Sequence, residues 1–134
     1  MELAAEGRTL PEAFARIALG LFAALVDPES VDETEVREVR AHAGAAADLL
    51  QRWLEECLYV HEVEGFACRS VEFAVFDGAP AAGGEPLRLH AFLKGEPVDP
   101  GRHRTLATVR GVSGDGSSVE AVASGFRVRI RLEQ

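Results

Sequence analysis

Phe126-Arg127-Val128-Arg129-Ile130-Arg131-Leu132-Glu133-Gln134 closes the chain with strict alternation: apolar at 126, 128, 130 and 132, arginine between them. Period two is the signature of a β-strand with one buried and one solvated face. The same period runs through Val71, Phe73 and Val75, and again through Leu87, Leu89, Ala91 and Leu93. Two further strands are expected near Thr105–Val112 and Val119–Ala123, joined by a tight turn at Ser113-Gly114-Asp115-Gly116. Ala79–Pro86 reads as a hairpin loop, and Glu35–His42, with Val36 and Val39 among charges, as a half-solvated strand.

Two segments carry a helical period instead. Leu10, Phe14, Ile17, Leu21 and Leu25 recur at steps of three and four, behind a start signal in which Thr9 caps, Pro11 sits in the first turn and Glu12 closes a capping box. Asp27-Pro28 ends that helix. Leu49, Leu50, Trp53, Leu54, Cys57 and Leu58 mark a second helix, ending near Val60 with Gly65 at the exit turn. Phe14 and Trp53 fall on the apolar stripes and belong to the core. The expected fold is therefore α+β: a two-layer domain spanning 1–134, a mostly antiparallel sheet with two amphipathic helices on one face.

Composition narrows function. The formal net charge is −8 at pH 7, and an acidic field disfavours non-specific binding of nucleic acid through the whole surface. Two cysteines, Cys57 and Cys68, are too few for a disulfide framework and point to a reduced, cytoplasmic setting. Cys57 lies on a helical stripe as an inert thiol, and Cys68 is expected to be exposed at a strand start. The apolar run Ile17–Val26 is too short to cross a bilayer, and Glu2 and Glu6 occupy the place of a signal peptide's basic region. His42, His61, His90 and His103 form no ligand pair of zinc spacing, and no nucleophile elbow, phosphate loop or dinucleotide fingerprint occurs. These readings favour a binding module over an enzyme. Glu133 is expected at a sheet rim, where a second carboxylate beside it would suit a hard cation such as calcium.

Several runs carry a more specific signal. They are Gly7–Phe14 followed by Ala18–Phe22, then Val36–Val39, then Leu49–Tyr59 leading into His61–Gly65, and finally Gly95-Glu96-Pro97-Val98-Asp99-Pro100-Gly101-Arg102-His103. The last has the spacing Gly-Glu-x-x-Asp-x-x-x-His. In this order, over essentially the whole chain, they resemble the archease family. The resemblance implies strands and two helices around one sheet, and a non-catalytic accessory role in tRNA splicing and RNA repair: activation of the RNA ligase RtcB by promoting its guanylylation and turnover. It also implies a divalent cation site, calcium in the family, built from an aspartate of an N-terminal His-Thr-Ala-Asp motif, an aspartate next to the C-terminus and the final residue.

By resemblance the metal positions fall on Glu133 and Gln134, and a family lysine on Arg110. Asp99, Arg102 and His103 are expected to join Arg110 in meeting the partner. The chain departs from the family at three places. The His-Thr-Ala-Asp motif is missing, because Met1 aligns inside the following strand. Glu133 is one methylene longer than aspartate. A Thr-Tyr-His triplet has become Ser113, Gly114 and Asp115. A lone Glu133 is thus expected to hold calcium weakly, and the DNA upstream of Met1 to encode the missing motif, because Glu2–Glu6 alone is short for a first strand. The alternative reading is a degenerate archease-fold interaction or chaperone-like module without metal; an independent enzyme ranks well below both.

Overall fold

The structure, a computed structural model, describes residues 1–77 and 86–134. In chain order the elements are β1 (Glu2–Gly7), α1 (Leu10–Leu25), a 3-10 turn (Pro28–Ser30), β2 (Glu35–Ala43), α2 (Ala46–Glu62), β3 (Phe66–Asp77), β4 (Leu87–Pro97), β5 (Gly111–Val122) and β6 (Gly125–Glu133). The hairpin loop expected at Ala79–Pro86 lies, up to residue 85, outside the described residues.

The α+β class and the antiparallel pairing are as the periodicities require, but the strands divide into two three-stranded sheets, β1-β6-β5 and β2-β4-β3. Alternation reports which face of a strand is buried and carries no information on which neighbours it chooses. The helices join the two sheets: α1 packs against β1, β6 and β3, and α2 against β5 and β2. Ile17, Leu21 and Leu25 of α1, Leu49, Leu50 and Leu54 of α2, Leu93 of β4 and Ile130 of β6 meet in one core with Phe14 and Trp53, both fully buried. Trp53 donates Nε1–H to the Phe14 carbonyl at 2.9 Å, which satisfies the buried indole and ties the helices together.

Local chemistry explains the boundaries. Thr9 accepts the Glu12 N–H at 3.3 Å and caps α1. The capping box stays open, because the Glu12 carboxylate pairs instead with Arg16 one turn on, at 2.7 Å. Glu2–Gly7, short as it is, pairs with β6 along its whole length, from Glu2 opposite Arg131 to Gly7 opposite Phe126.

One expectation fails outright. Ser113–Gly116 is no hairpin turn, and 106–110 is no strand; Thr105 makes only an isolated bridge to Val26. Gly111–Val122 is a single strand against β6, with a register shift between Ser113 and Ser118. An Asp-Gly pair serves a bulge as readily as a turn, since both need a residue at positive φ; Gly116, at φ +83°, supplies it.

Candidate functional site: the β6 rim and the Gly95–His103 loop

The end of β6 gathers three distant parts of the chain. Leu132 exchanges backbone hydrogen bonds with Met1, at 2.6 and 3.1 Å. One residue on, Arg110 donates its backbone N–H to the Glu133 carbonyl at 2.7 Å. Glu133 stands opposite Gly111, where a Cβ would come within 3.4 Å of the Glu133 carboxylate. Arg110, Glu133 and Gln134 are all exposed, and the Arg110 and Glu133 side chains make no ion pair with each other. The rim therefore presents a cation and a carboxylate, both open to a partner. Calcium takes six to eight oxygens, several from carboxylates. Among the described residues no group of three or more His, Cys, Asp or Glu side chains is placed to hold a metal ion, so Glu133 and Gln134 do not by themselves fit such an ion.

The Gly95–His103 loop is held from inside by a carboxylate. Glu96 is 6% exposed and His103 2%. Glu96 accepts the Asp32 N–H, receives Arg102 Nη1 at 2.7 Å, and lies 3.3 Å from His103 Nε2. Arg102 also bridges to Asp32 at 3.1 Å. The Asp32 N–H first, and then the Arg102 guanidinium, hold the Glu96 carboxyl down at about 2. His103 Nδ1 accepts the Asp99 N–H at 2.8 Å, and the His103 backbone N–H returns to the Asp99 carbonyl at 2.6 Å, so imidazole and turn lock each other. At the loop's start Gly95 lies against β3, where a Cβ would meet the Ala67 carbonyl oxygen at 1.9 Å.

The spacing Gly-Glu-x-x-Asp-x-x-x-His thus has a structural reason at several positions. Gly95 allows the close approach, Glu96 anchors, and His103 braces the turn at Asp99. Asp99 and Arg102 face solvent, while His103 is inside. No hydrogen bond or ion pair among the described residues links this loop to Arg110 or Glu133. The chain between them passes the end of α1, where Leu106 donates to the Leu25 carbonyl at 2.9 Å. Glu96, the centre of the network, was not singled out from sequence; only its place in the spaced motif signalled it.

Cys68 is not exposed. As the third residue of β3 it is 3% accessible, and burial pushes its thiol up to about 12. Cys57 is fully buried and its thiol is raised by the same cause. Strand starts face solvent only when no element covers them, which a strand's own sequence does not report. No helix among the described residues is long and apolar enough to cross a membrane.

Two helices spanning a pair of antiparallel three-stranded sheets is an arrangement found in solved structures. The solution structure of Methanobacterium thermoautotrophicum protein 1598 superposes with a TM-score of 0.74 at 22% identity, covering 99% of this chain and 89% of that one. An archease from Thermotoga maritima, described as a possible chaperone, gives 0.54 at 12% identity, covering 100% and 88%. These likenesses establish the fold. Sequence establishes the family: the Archease protein family (MTH1598/TM1083) matches residues 1–132, and the chain belongs to it. Protein archease of Pyrococcus abyssi is 31% identical over 119 residues, 89% of this chain and 80% of that protein. That of Thermococcus gammatolerans is 33% identical with the same coverage, and an archease-like protein of Drosophila melanogaster is 23% identical over 95% of this chain and 80% of its own length.

Proposed function

We propose that this archease is a non-catalytic accessory protein of the RNA ligase RtcB, promoting the ligase's guanylylation and turnover from the rim that carries Arg110 and Glu133. The observation that supports the reading is their juxtaposition: two positions distant in sequence, on which family site residues fall by resemblance, are joined at one exposed edge by a 2.7 Å backbone hydrogen bond. An acidic chain suits a partner whose surface must itself attract RNA. In the proposed complex Arg110 and Glu133 touch the ligase, Asp99 and Arg102 add a second polar surface, and buried His103 keeps that loop in shape. The test is guanylylation of the cognate ligase with and without this protein.

The β1–β6 register bears on calcium. With Glu2 opposite Arg131, residues preceding Met1 in the same strand would stand opposite Glu133 and Gln134. A carboxylate supplied there would complete what Glu133 begins. Glu133 and Gln134 alone are expected to bind calcium in about the millimolar range or more weakly, and a form extended with a His-Thr-Ala-Asp stretch more tightly; calorimetric titration of residues 1–134 and of the extended form decides. A second reading, a chaperone-like interaction module without metal, is favoured by the description of the Thermotoga maritima relative as a possible chaperone. Suppression of aggregation of an unrelated unfolded protein, with no effect on the ligase, would select it.

A further inference from the structure

β2 is an edge of its sheet. Among the described residues β4 is its only strand partner, and no backbone hydrogen bond reaches its other side. An open edge invites a further strand, and proteins blunt such edges with bulges, short strands or charges. Of the other sheet edges, β3 and β5 carry register shifts, and β1 has only six residues. β2 instead runs nine residues in unbroken register with β4. Its remaining protection is charge, supplied by Glu35, Arg37, Glu38 and Arg40.

The order of those charges selects a partner. Val39, Ala41 and Ala43 are buried, so Val36, Glu38, Arg40 and His42 stand on the solvated face. A second copy of β2, laid antiparallel about a two-fold axis normal to the sheet, must set buried face beside buried face. Centred on Glu38 the pairing opposes two carboxylates, and centred on Arg40 it opposes two guanidinium groups; like charges directly opposite destabilise a sheet. Centred on Val39 it puts Glu38 opposite the partner's Arg40, Arg40 opposite the partner's Glu38, and Val36 opposite the partner's His42. Val39 is also the midpoint of Glu35–Ala43, so this register pairs the strand over its whole length. The contacts Glu38 already makes, to His90 at 2.8 Å and to Arg40 of its own strand at 3.8 Å, are compatible with it. The Arg40 and Glu38 side chains are 73% and 53% exposed, and a copy gives each a second unlike neighbour. Val36 is itself 52% exposed, and a hollow of about 180 Å³ lined by Arg40, Ala41, His42 and by Arg52, Glu55 and Glu56 of α2 leaves room beside the strand.

We propose that the β2 edge joins two copies of this chain into a two-fold dimer in the register centred on Val39, so that the two β2-β4-β3 sheets run on as one. The charges that bar other registers of the edge admit this one, and a strand of another protein would need the same order of unlike charges to do as well. The interface uses a different sheet from the Arg110–Glu133 rim and rests on no reading of that rim.

The experiment is sedimentation equilibrium of the whole chain from about 10 μM to about 1 mM, for the parent, Glu38→Arg, Arg40→Glu and the doubly substituted chain. The parent is expected to be half dimeric at about 0.1 mM, as suits an interface of one strand pair. Each single substitution sets like charges opposite each other twice and should weaken the dimer by about tenfold or more. The double substitution exchanges the two charges and should restore it. An equimolar mixture of the two single variants should also dimerise as the parent does, because one chain then contributes two arginines and the other two glutamates. Circular dichroism checks that each variant is folded; should one single variant fail to fold, the other and the double variant decide. The proposal is overturned by a parent that stays monomeric over the whole range, by a folded single variant that dimerises as the parent does, or by a double variant or mixture that restores nothing.

Discussion

Arg110 and Glu133 meet at the end of the β5–β6 ladder, where the backbone N–H of the first reaches the carbonyl of the second at 2.7 Å. The bond extends the pairing one residue beyond Gly111, so that an irregular segment leaving the Gly95–His103 loop is fastened to the last residues of the chain. Met1 is fastened to the same place through Leu132. Whatever this rim contacts is therefore presented by three backbone segments held in one ladder, not by free termini.

Gly95 and Gly20 should respond oppositely to alanine. At Gly95 the added methyl would sit 1.9 Å from a backbone carbonyl of β3, which cannot move as a side chain can. Gly95→Ala should cost about 3 kcal/mol or more. At Gly20, inside α1, a Cβ meets nothing within 4 Å, and Gly20→Ala should stabilise by about 0.5–1 kcal/mol through helix propensity. Urea midpoints measure both; a Gly95→Ala chain as stable as the parent would refute the close approach of β4 to β3.

Acid should loosen the loop through Glu96. Its carboxyl titrates at about 2 in the fold against an ordinary 4.5, so the folded state favours the ionised form. The stability this contributes is fully present above 4.5 and is lost as pH falls through about 2. In urea unfolding from pH 6 downward, the gap between the parent and Glu96→Gln should narrow below pH 4.5. A gap constant down to pH 2 would show that the network does not depend on the carboxylate's charge.

Both thiols should be silent in the folded protein. Burial raises Cys57 and takes Cys68 to about 12, so neither supplies thiolate or access at neutral pH. A disulfide reagent such as DTNB should label neither cysteine in native buffer and both in denaturant. Labelling of Cys68 at the rate of a free thiol would return it to the surface.

Much of the fold is legible in the sequence because it is local. The helical stripes place Phe14 and Trp53 in the core, Thr9 and Asp27-Pro28 bound α1, and the alternation of Phe126–Leu132 decides which face of β6 is buried. The rest depends on partners distant in sequence. Alternation cannot say that β6 pairs with β1 and β5 while β4 takes β2 and β3. The Asp-Gly pair at 115–116 fits turn and bulge alike until β6 is seen to run past it. His103 and Glu96 are polar residues in a loop, and only the fold shows them inside it, Glu96 bonded by Arg102 and the backbone of Asp32 and His103 bonded through Nδ1 to Asp99, its Nε2 lying 3.3 Å from Glu96 without a hydrogen bond among the described residues. Arg110 and Glu133 are expected as site residues from family resemblance alone, and the structure adds their backbone contact.

That the Arg110–Glu133 rim acts on the RNA ligase is tested most directly by guanylylation of the cognate RtcB in the presence of the parent, Arg110→Ala and Glu133→Gln at equal folded concentration. Both side chains are exposed, so each variant should keep its stability within about 0.5 kcal/mol. The parent should stimulate guanylylation, and each variant should lose about tenfold or more of that stimulation, as expected when an interface gives up one of its charged groups. Folded variants that stimulate the ligase as well as the parent would contradict a role for this rim.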